Sequence, residues 1–312
     1  MVKTAWSIML LAGLLTGCGS GSDPNAELLG SGILVSSNQT GNWEVFIFNP
    51  DASITHQVTH QVTNEAGYWT DLDAEVLGFD FEAAWSPDGQ QIVLVTDRYA
   101  TQELLVVDRA GSEIQRFDEM VNAGEPAWSP DGTQIAFRSD RSGDPELYVM
   151  NATGSNVRQL THSPDEDWTP TWSPDGTRLA FASRRGNGSW DIFTMRPDGS
   201  EVTQLTFDAW DNYLPDWSPD GNRIAFASNR SGNWDIFTMD PDGSSVQQVT
   251  DHPGADIEPV WSPDGSQLAF ATLRTAGEGW EVFLVDVDGG RESGTGHQGY
   301  PTDWVAESEN SR

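Results

Sequence analysis

Short apolar runs recur along the chain at nearly constant intervals, each bounded by Gly, Pro, Asn or Asp. Six of them, at residues 33–37, 92–96, 135–139, 179–183, 224–228 and 268–272, share one pattern in which large and small or β-branched side chains alternate. The cleanest unit around such a run comprises Pro215-Asp216-Trp217 and then residues 223–228, 235–240 and 246–250. Runs of five to seven residues with this punctuation predict strands, and no stretch sustains the 3.6-residue period of a helix. Each unit is therefore predicted to hold four short strands joined by turns.

The turns fix the count. Trp-Ser-Pro-Asp-Gly occurs five times, beginning at Trp85, Trp128, Trp172, Trp217 and Trp261, and successive tryptophans are 43, 44, 45 and 44 residues apart. Trp304 follows after 43 more, in Pro301-Thr302-Asp303-Trp304, with the lead-in kept and the turn lost. A period of this size is one supersecondary unit copied along the chain. Proline presets φ for the second turn position and glycine takes the positive φ that releases the chain into the next strand. The strand after the turn occurs six times. The tryptophan strand also occurs six times once Ala83-Ala84-Trp85 is included and Trp304 closes the series. The chain thus opens with strands two to four of a unit and ends with strand one. This predicts an all-β, six-bladed β-propeller with four antiparallel strands per blade, closed by a one-plus-three clasp of N- and C-terminal strands that pairs otherwise open edges.

Units of this length with this signature resemble the TolB-type propeller repeat, a relative of the WD repeat, over residues 31–305. The resemblance implies the propeller fold and, more distantly, an extracytoplasmic interaction role. TolB itself carries an α/β domain ahead of its propeller, and here only residues 19–30 precede the first strand.

Composition narrows the partners. There are 48 acidic and 16 basic residues, a net charge of −32, and the only lysine is Lys3. No basic stripe exists to neutralise phosphates, which excludes nucleic acid, and peripheral binding to anionic lipid is excluded on the same ground. The leader changes the localisation. Lys3, the apolar run 5–15 and Leu15-Thr16-Gly17-Cys18 resemble a bacterial lipoprotein signal. Residues 1–17 are expected to be removed, Cys18 to carry lipid, and residues 18–30 to form a flexible tether. The expected location is the periplasmic side of an envelope membrane or the cell surface. Residues 306–312 are a polar tail. Cys18 is the only cysteine, so no intrachain disulfide can form.

Candidate chemistry comes last. The third strand of each unit opens with one carboxylate, at Glu44, Glu103, Glu146, Asp191, Asp235 and Glu281, and arginines stand five to seven residues earlier at Arg98, Arg141, Arg185, Arg230 and Arg274. Each arginine is expected to pair with the acid that follows it across the hairpin. Trp43, Trp190, Trp234 and Trp280 precede these acids and are candidates for stacking on sugar or peptide. The exits from strand four vary between copies and converge on a channel mouth opposite the Ser-Pro-Asp-Gly turns. Variable loops on a rigid scaffold are where binding resides. The longest variant, 60–82, contributes Tyr68, Trp69, Asp71 and Asp73 as partner-binding candidates, and the other exits contribute Trp168, Trp210 and Tyr213.

Asp167, Asp211, Asp256 and Glu258 are candidate ligands for Ca²⁺, which favours oxygen donors. His60, His162 and His252 follow the strand-four threonine in three copies. Some propellers with this repeat are polysaccharide lyases that hold a divalent metal with mouth histidines. No contiguous calcium loop, zinc spacing or nucleophile elbow is present. The expected protein is a monomeric, non-enzymatic, lipid-anchored scaffold without a cofactor, binding a protein, peptide or envelope polymer. A metal-dependent polyuronate lyase and a calcium-binding sensor or assembly factor stand as alternatives.

Overall fold

The computed structural model describes residues 32–39, 43–49, 54–59, 79–99, 101–120, 122–186, 188–274 and 279–305. They form six four-stranded antiparallel sheets. The first strand of each sheet touches the first strands of both neighbours, closing a ring. Numbered by chain order, blades 2 to 6 have the inner strands Asp80–Trp85, Ala123–Trp128, Asp167–Trp172, Asn212–Trp217 and Asp256–Trp261. Blade 1 joins Tyr300–Val305, as its inner strand, to Gly32–Ser37, Glu44–Asn49 and Ile54–Gln57. The clasp is the expected one, with Ile33 opposite Trp304 and Ser36 opposite Tyr300. No helix of the described residues is long and apolar enough to cross a membrane.

The alternation in the second strands explains how blades stack. In Leu179–Ser183, Phe181 stacks on Phe193 at 5.7 Å and packs with it against the preceding blade's Ala136, Leu147 and Val149, while Ala180 and Ala182 pack against the next blade's Trp217, Phe226 and Phe237. Phe226 and Phe237 (5.9 Å) and Phe137 and Tyr148 (5.7 Å) repeat the arrangement. One face of each sheet is thus large and the other small, which lets twisted sheets pack radially. The turn tryptophans sit in the seams. Trp85, Trp172 and Trp261 donate their indole N–H to a carbonyl of the preceding blade, at 3.2 Å in each case. Trp128 and Trp217 find no acceptor among the described residues.

Each Ser-Pro-Asp-Gly turn is locked internally. The serine hydroxyl donates to the aspartate (2.6–2.7 Å) and accepts the N–H five residues on (2.9 Å). The glycine φ lies between 65° and 71°. These turns and those between strands three and four share one face. The loops between strands two and three share the other with the exits from strand four.

The expected arginine pairing is corrected by the structure. Arg98, Arg185 and Arg274 pair with Asp80, Asp167 and Asp256, the first residues of their own inner strands, and not with the acids that follow them. Two of the guanidinium groups lie over the ring pair of their own hairpin, Arg185 above Phe181 and Phe193 at 5.3 Å and Arg274 above Phe270 and Phe283 at 5.2 Å. The third-strand acids take other donors. Glu103 accepts from Arg116, Asp191 from Thr206 and Gln204, and Asp235 from Ser231 and Gln248.

Candidate binding channel

The inner strands wall an axial channel of about 780 Å³. A bulge repeated in each of blades 2 to 6 decides what faces it. Pairing with the second strand skips two residues just before the tryptophan, as between Phe81 and Ala84 or Ile257 and Val260. The first skipped residue takes a positive φ of 46–55°, at Glu82, Glu125, Thr169, Leu214 and Glu258. Four of the five precede proline, which itself disfavours the α region. Left-handed backbone costs roughly 1–3 kcal/mol at a non-glycine residue. The bulge re-aims these five side chains toward the lumen.

Three of the five are glutamates, and they are not equivalent. Glu82 accepts the Glu125 N–H (2.8 Å), and Glu125 accepts the Thr169 N–H (2.8 Å), so each caps the bulge of the following blade. For Glu258 the corresponding residue of the following blade is Pro301, which has no N–H to offer. Blade 3 also supplies a cation. Arg138 lies only 9% exposed, its Nε 3.7 Å from Glu125 and its guanidinium 4.4 Å above the Trp168 ring. Gly124 makes the room, since a Cβ there would stand 2.4 Å from the Arg138 Nη2 and 3.0 Å from the Glu82 Oε2.

Burial dominates the electrostatics. It raises Glu82 and Glu125, whose charges also repel. It lifts Glu258 to about 8, with help from the charges of Glu82 and Glu125. Further along the lumen Asp216 rises to about 7 and Asp303 to about 6, again chiefly by burial, although each accepts a backbone N–H from the next blade's tryptophan. Burial first, then Glu258, pushes the Tyr300 hydroxyl up to about 12.

Aromatic rings line the mouth. Trp190 meets Trp168 edge-on at 6.2 Å and Tyr213 at 5.0 Å, while Trp43 and Trp280 flank Tyr300 at 5.7 and 5.4 Å. Of the candidates named from sequence, Trp168, Tyr213, Trp234, Glu258 and Trp280 line the channel. Trp210 lies outside it on the rim, 49% exposed, on the same exit loop as the exposed Phe207. Asp167 and Asp256 stand behind the wall in their ion pairs, and Asp211 accepts from the Trp190 N–H and from Asn229. Among the described residues no three of His, Cys, Asp and Glu are placed to hold a metal ion. Tyr68, Trp69, Asp71, Asp73, His60 and Cys18 lie outside the described residues.

Sequence reasoning passed over Glu82, Glu125 and Arg138. The signal for the arginine was present, because residues 135–139 read Ile-Ala-Phe-Arg-Ser where 224–228 read Ile-Ala-Phe-Ala-Ser.

A closed ring of six four-stranded blades around an open, carboxylate-walled lumen defines a β-propeller with an axial channel. The model of the TolB beta propeller domain matches residues 70–212 and 208–302, and the chain belongs to that family. A putative TolB from Agrobacterium tumefaciens is similar in structure, with a TM-score of 0.67 and 26% identity over 88% of this chain and 92% of that one. TolB from Acinetobacter baumannii gives 0.70 and 23% identity over 88% and 66%. An oligogalacturonate lyase solved in complex with manganese gives 0.58 and 17% over 86% and 74%, a likeness of fold alone. No curated protein matches the sequence.

Proposed function

We propose that the protein is a non-enzymatic, extracytoplasmic scaffold, lipid-anchored through Cys18, that binds a protein or peptide partner of the cell envelope at its loop face and channel mouth. The observation that carries this reading is the lumen, open on the face of variable loops, lined by Trp168, Tyr213 and Trp280 and walled by half-buried carboxylates. Aromatic rims with satisfied polar neighbours are what extended peptides dock against, since rings give contact area at low entropic cost. The family and the likeness to two TolB structures support the scaffold role, and the sequence of residues 1–18 supports the anchor.

A polyuronate lyase is the second reading, favoured by the likeness to an oligogalacturonate lyase. The sign of the lumen opposes it, because a polyanion would meet five carboxylates and one buried arginine. Two assays separate the readings. Affinity capture from envelope extract should recover a partner with the wild type and lose it with Trp168→Ala/Tyr213→Ala, and equal recovery by both would remove the mouth from the function. Release of unsaturated uronate products in the presence of Mn²⁺ would establish the lyase instead.

A further inference from the structure

The same bulge glutamate is solved in two different ways on opposite sides of the lumen. In blade 3 the charge of Glu125 is met from within the fold. Arg138 enters through the gap left by Gly124, sits over the Trp168 ring and approaches Glu125, yet its buried Nε–H finds no hydrogen-bond acceptor among the described residues. A guanidinium between a carboxylate and an indole face is the arrangement that recognises organic cations. Blade 6 has the same glutamate and no such companion. The residue in the place of Arg138 is Ala271, and the residue in the place of Gly124 is Ile257. Glu258 has neither a backbone donor from the following blade nor a cation from its own.

We propose that the lumen at Glu258 is a subsite for an alkylammonium or guanidinium cation, gripped by Glu258 opposite the Glu82–Glu125 pair and flanked by the Tyr213 and Tyr300 rings. A basic side chain of the bound peptide supplies the cation, and in that form the inference rests on the peptide-binding reading above. The organic cation is favoured over a metal ion because no three described carboxylates or histidines converge as ligands, while the aromatic side chains of Tyr213, Trp234 and Trp280 line the same channel. The acidity of the chain, −32 overall, favours basic partners at encounter.

Proton linkage follows. The groups around Glu258 are Glu82 from blade 2, Glu125 and Arg138 from blade 3, Tyr213 and Asp216 from blade 5, and Tyr300 and Asp303 from blade 1. Burial first, and then the charges of Glu82 and Glu125, keep Glu258 protonated until about pH 8. An arriving ammonium, itself protonated up to pH ~10, pairs with the ionised form and expels that proton. The ionised fraction of Glu258 rises roughly twentyfold between pH 6.5 and 8.5, and affinity should rise about tenfold or more over that interval.

The test is titration calorimetry on the full chain in detergent, at pH 6.5 and 8.5 and in buffers of different ionisation enthalpy. The probes are a pool of octapeptides with a central lysine, the same pool with norleucine, spermidine, and CaCl₂. The expected result is that the lysine pool binds at least tenfold tighter than the norleucine pool, more tightly at pH 8.5, with proton release. Glu258→Gln should remove both the preference and the proton release while melting no lower than the wild type. Equal binding of the two pools with no binding of spermidine overturns the cation subsite and leaves the peptide reading standing, whereas binding of neither pool and no spermidine overturns both. Binding of spermidine with loss of the lysine preference keeps the subsite and overturns the peptide as its source. Competition by CaCl₂ at stoichiometric concentration overturns the choice of an organic cation.

Discussion

Replacing Asp167 separates a structural ion pair from a metal ligand. Asp167 is fully buried at the start of the blade 4 inner strand and pairs with Arg185, whose side chain is 22% exposed and also donates to Ser183 at 2.9 Å. The protein already contains the milder variant. At the same place in blade 5 stands Asn212, which accepts from Arg230 at 2.7 Å, while Arg230 turns its charge toward Asp208 at 3.0 Å. Asp167→Asn keeps an acceptor for a guanidinium that already reaches solvent, and it should cost about 1 kcal/mol. Asp167→Ala leaves a void and strands the arginine over two phenylalanine rings, which should cost about 3–5 kcal/mol. In melting temperature the two differ by roughly 4–16 °C at 2–4 °C per kcal/mol.

The pH dependence sharpens the test. Burial, with repulsion from Asp167, raises Glu146 to about 7. A raised carboxyl is neutral in the native state near pH 5 and costs stability as pH climbs from its unfolded value through 7. Asp167→Asn removes the repulsion, so its cost should be smaller at pH 8 than at pH 5. Guanidinium denaturation at both pH values measures this. Equal cost for Asn and Ala, or a cost for Asn that grows with pH, would refute the ion-pair account. A calcium-dependent rise in the wild-type melting temperature that Asp167→Asn abolishes would replace it with a metal site.

Other substitutions probe the channel and the ring. Glu258→Gln should leave stability unchanged near pH 5 and raise it by about 1 kcal/mol or more at pH 9, because a carboxyl held at about 8 in the fold opposes folding above its unfolded value near 4.5; chemical denaturation across that range checks it. Gly124→Ala places a methyl against the Arg138 guanidinium and should cost about 1–2 kcal/mol, with a change in Trp168 fluorescence as the cation leaves the ring. Phe226→Ala, at a position with no exposure between two blades, should cost about 3–5 kcal/mol by calorimetry with little change in backbone circular dichroism. Removal of residues 300–312 takes away the inner strand of blade 1, and the remaining chain should lose cooperative unfolding and elute as aggregate.

The architecture was legible because turn chemistry is local: five copies of Ser-Pro-Asp-Gly and one orphan Trp304 determine the blade count and the clasp without any knowledge of packing. The lumen was harder to read. Glu82, Glu125 and Glu258 face inward only because a two-residue bulge breaks the period of two in the inner strand, and a bulge has no composition of its own when glutamate, threonine and leucine all occupy it. The arginine pairing failed for a related reason. Spacing along the chain gave Arg185 and Asp191 as hairpin neighbours, but the Phe181 and Phe193 rings carry the guanidinium back toward Asp167. Arg138 was a visible exception in a repeated motif, and its partner Gly124 explains why the fold tolerates it.

The clasp has a consequence for how the protein is made. Ile33 pairs with Trp304, so the first blade cannot be finished until nearly the whole chain is available. Blades 2 to 6 can assemble from contacts within and between neighbouring units as they emerge, but the edge of Gly32–Ser37 stays open throughout synthesis. Ring closure is therefore a late, long-range event. Until it happens there is no lumen, and the chain holds no completed binding channel.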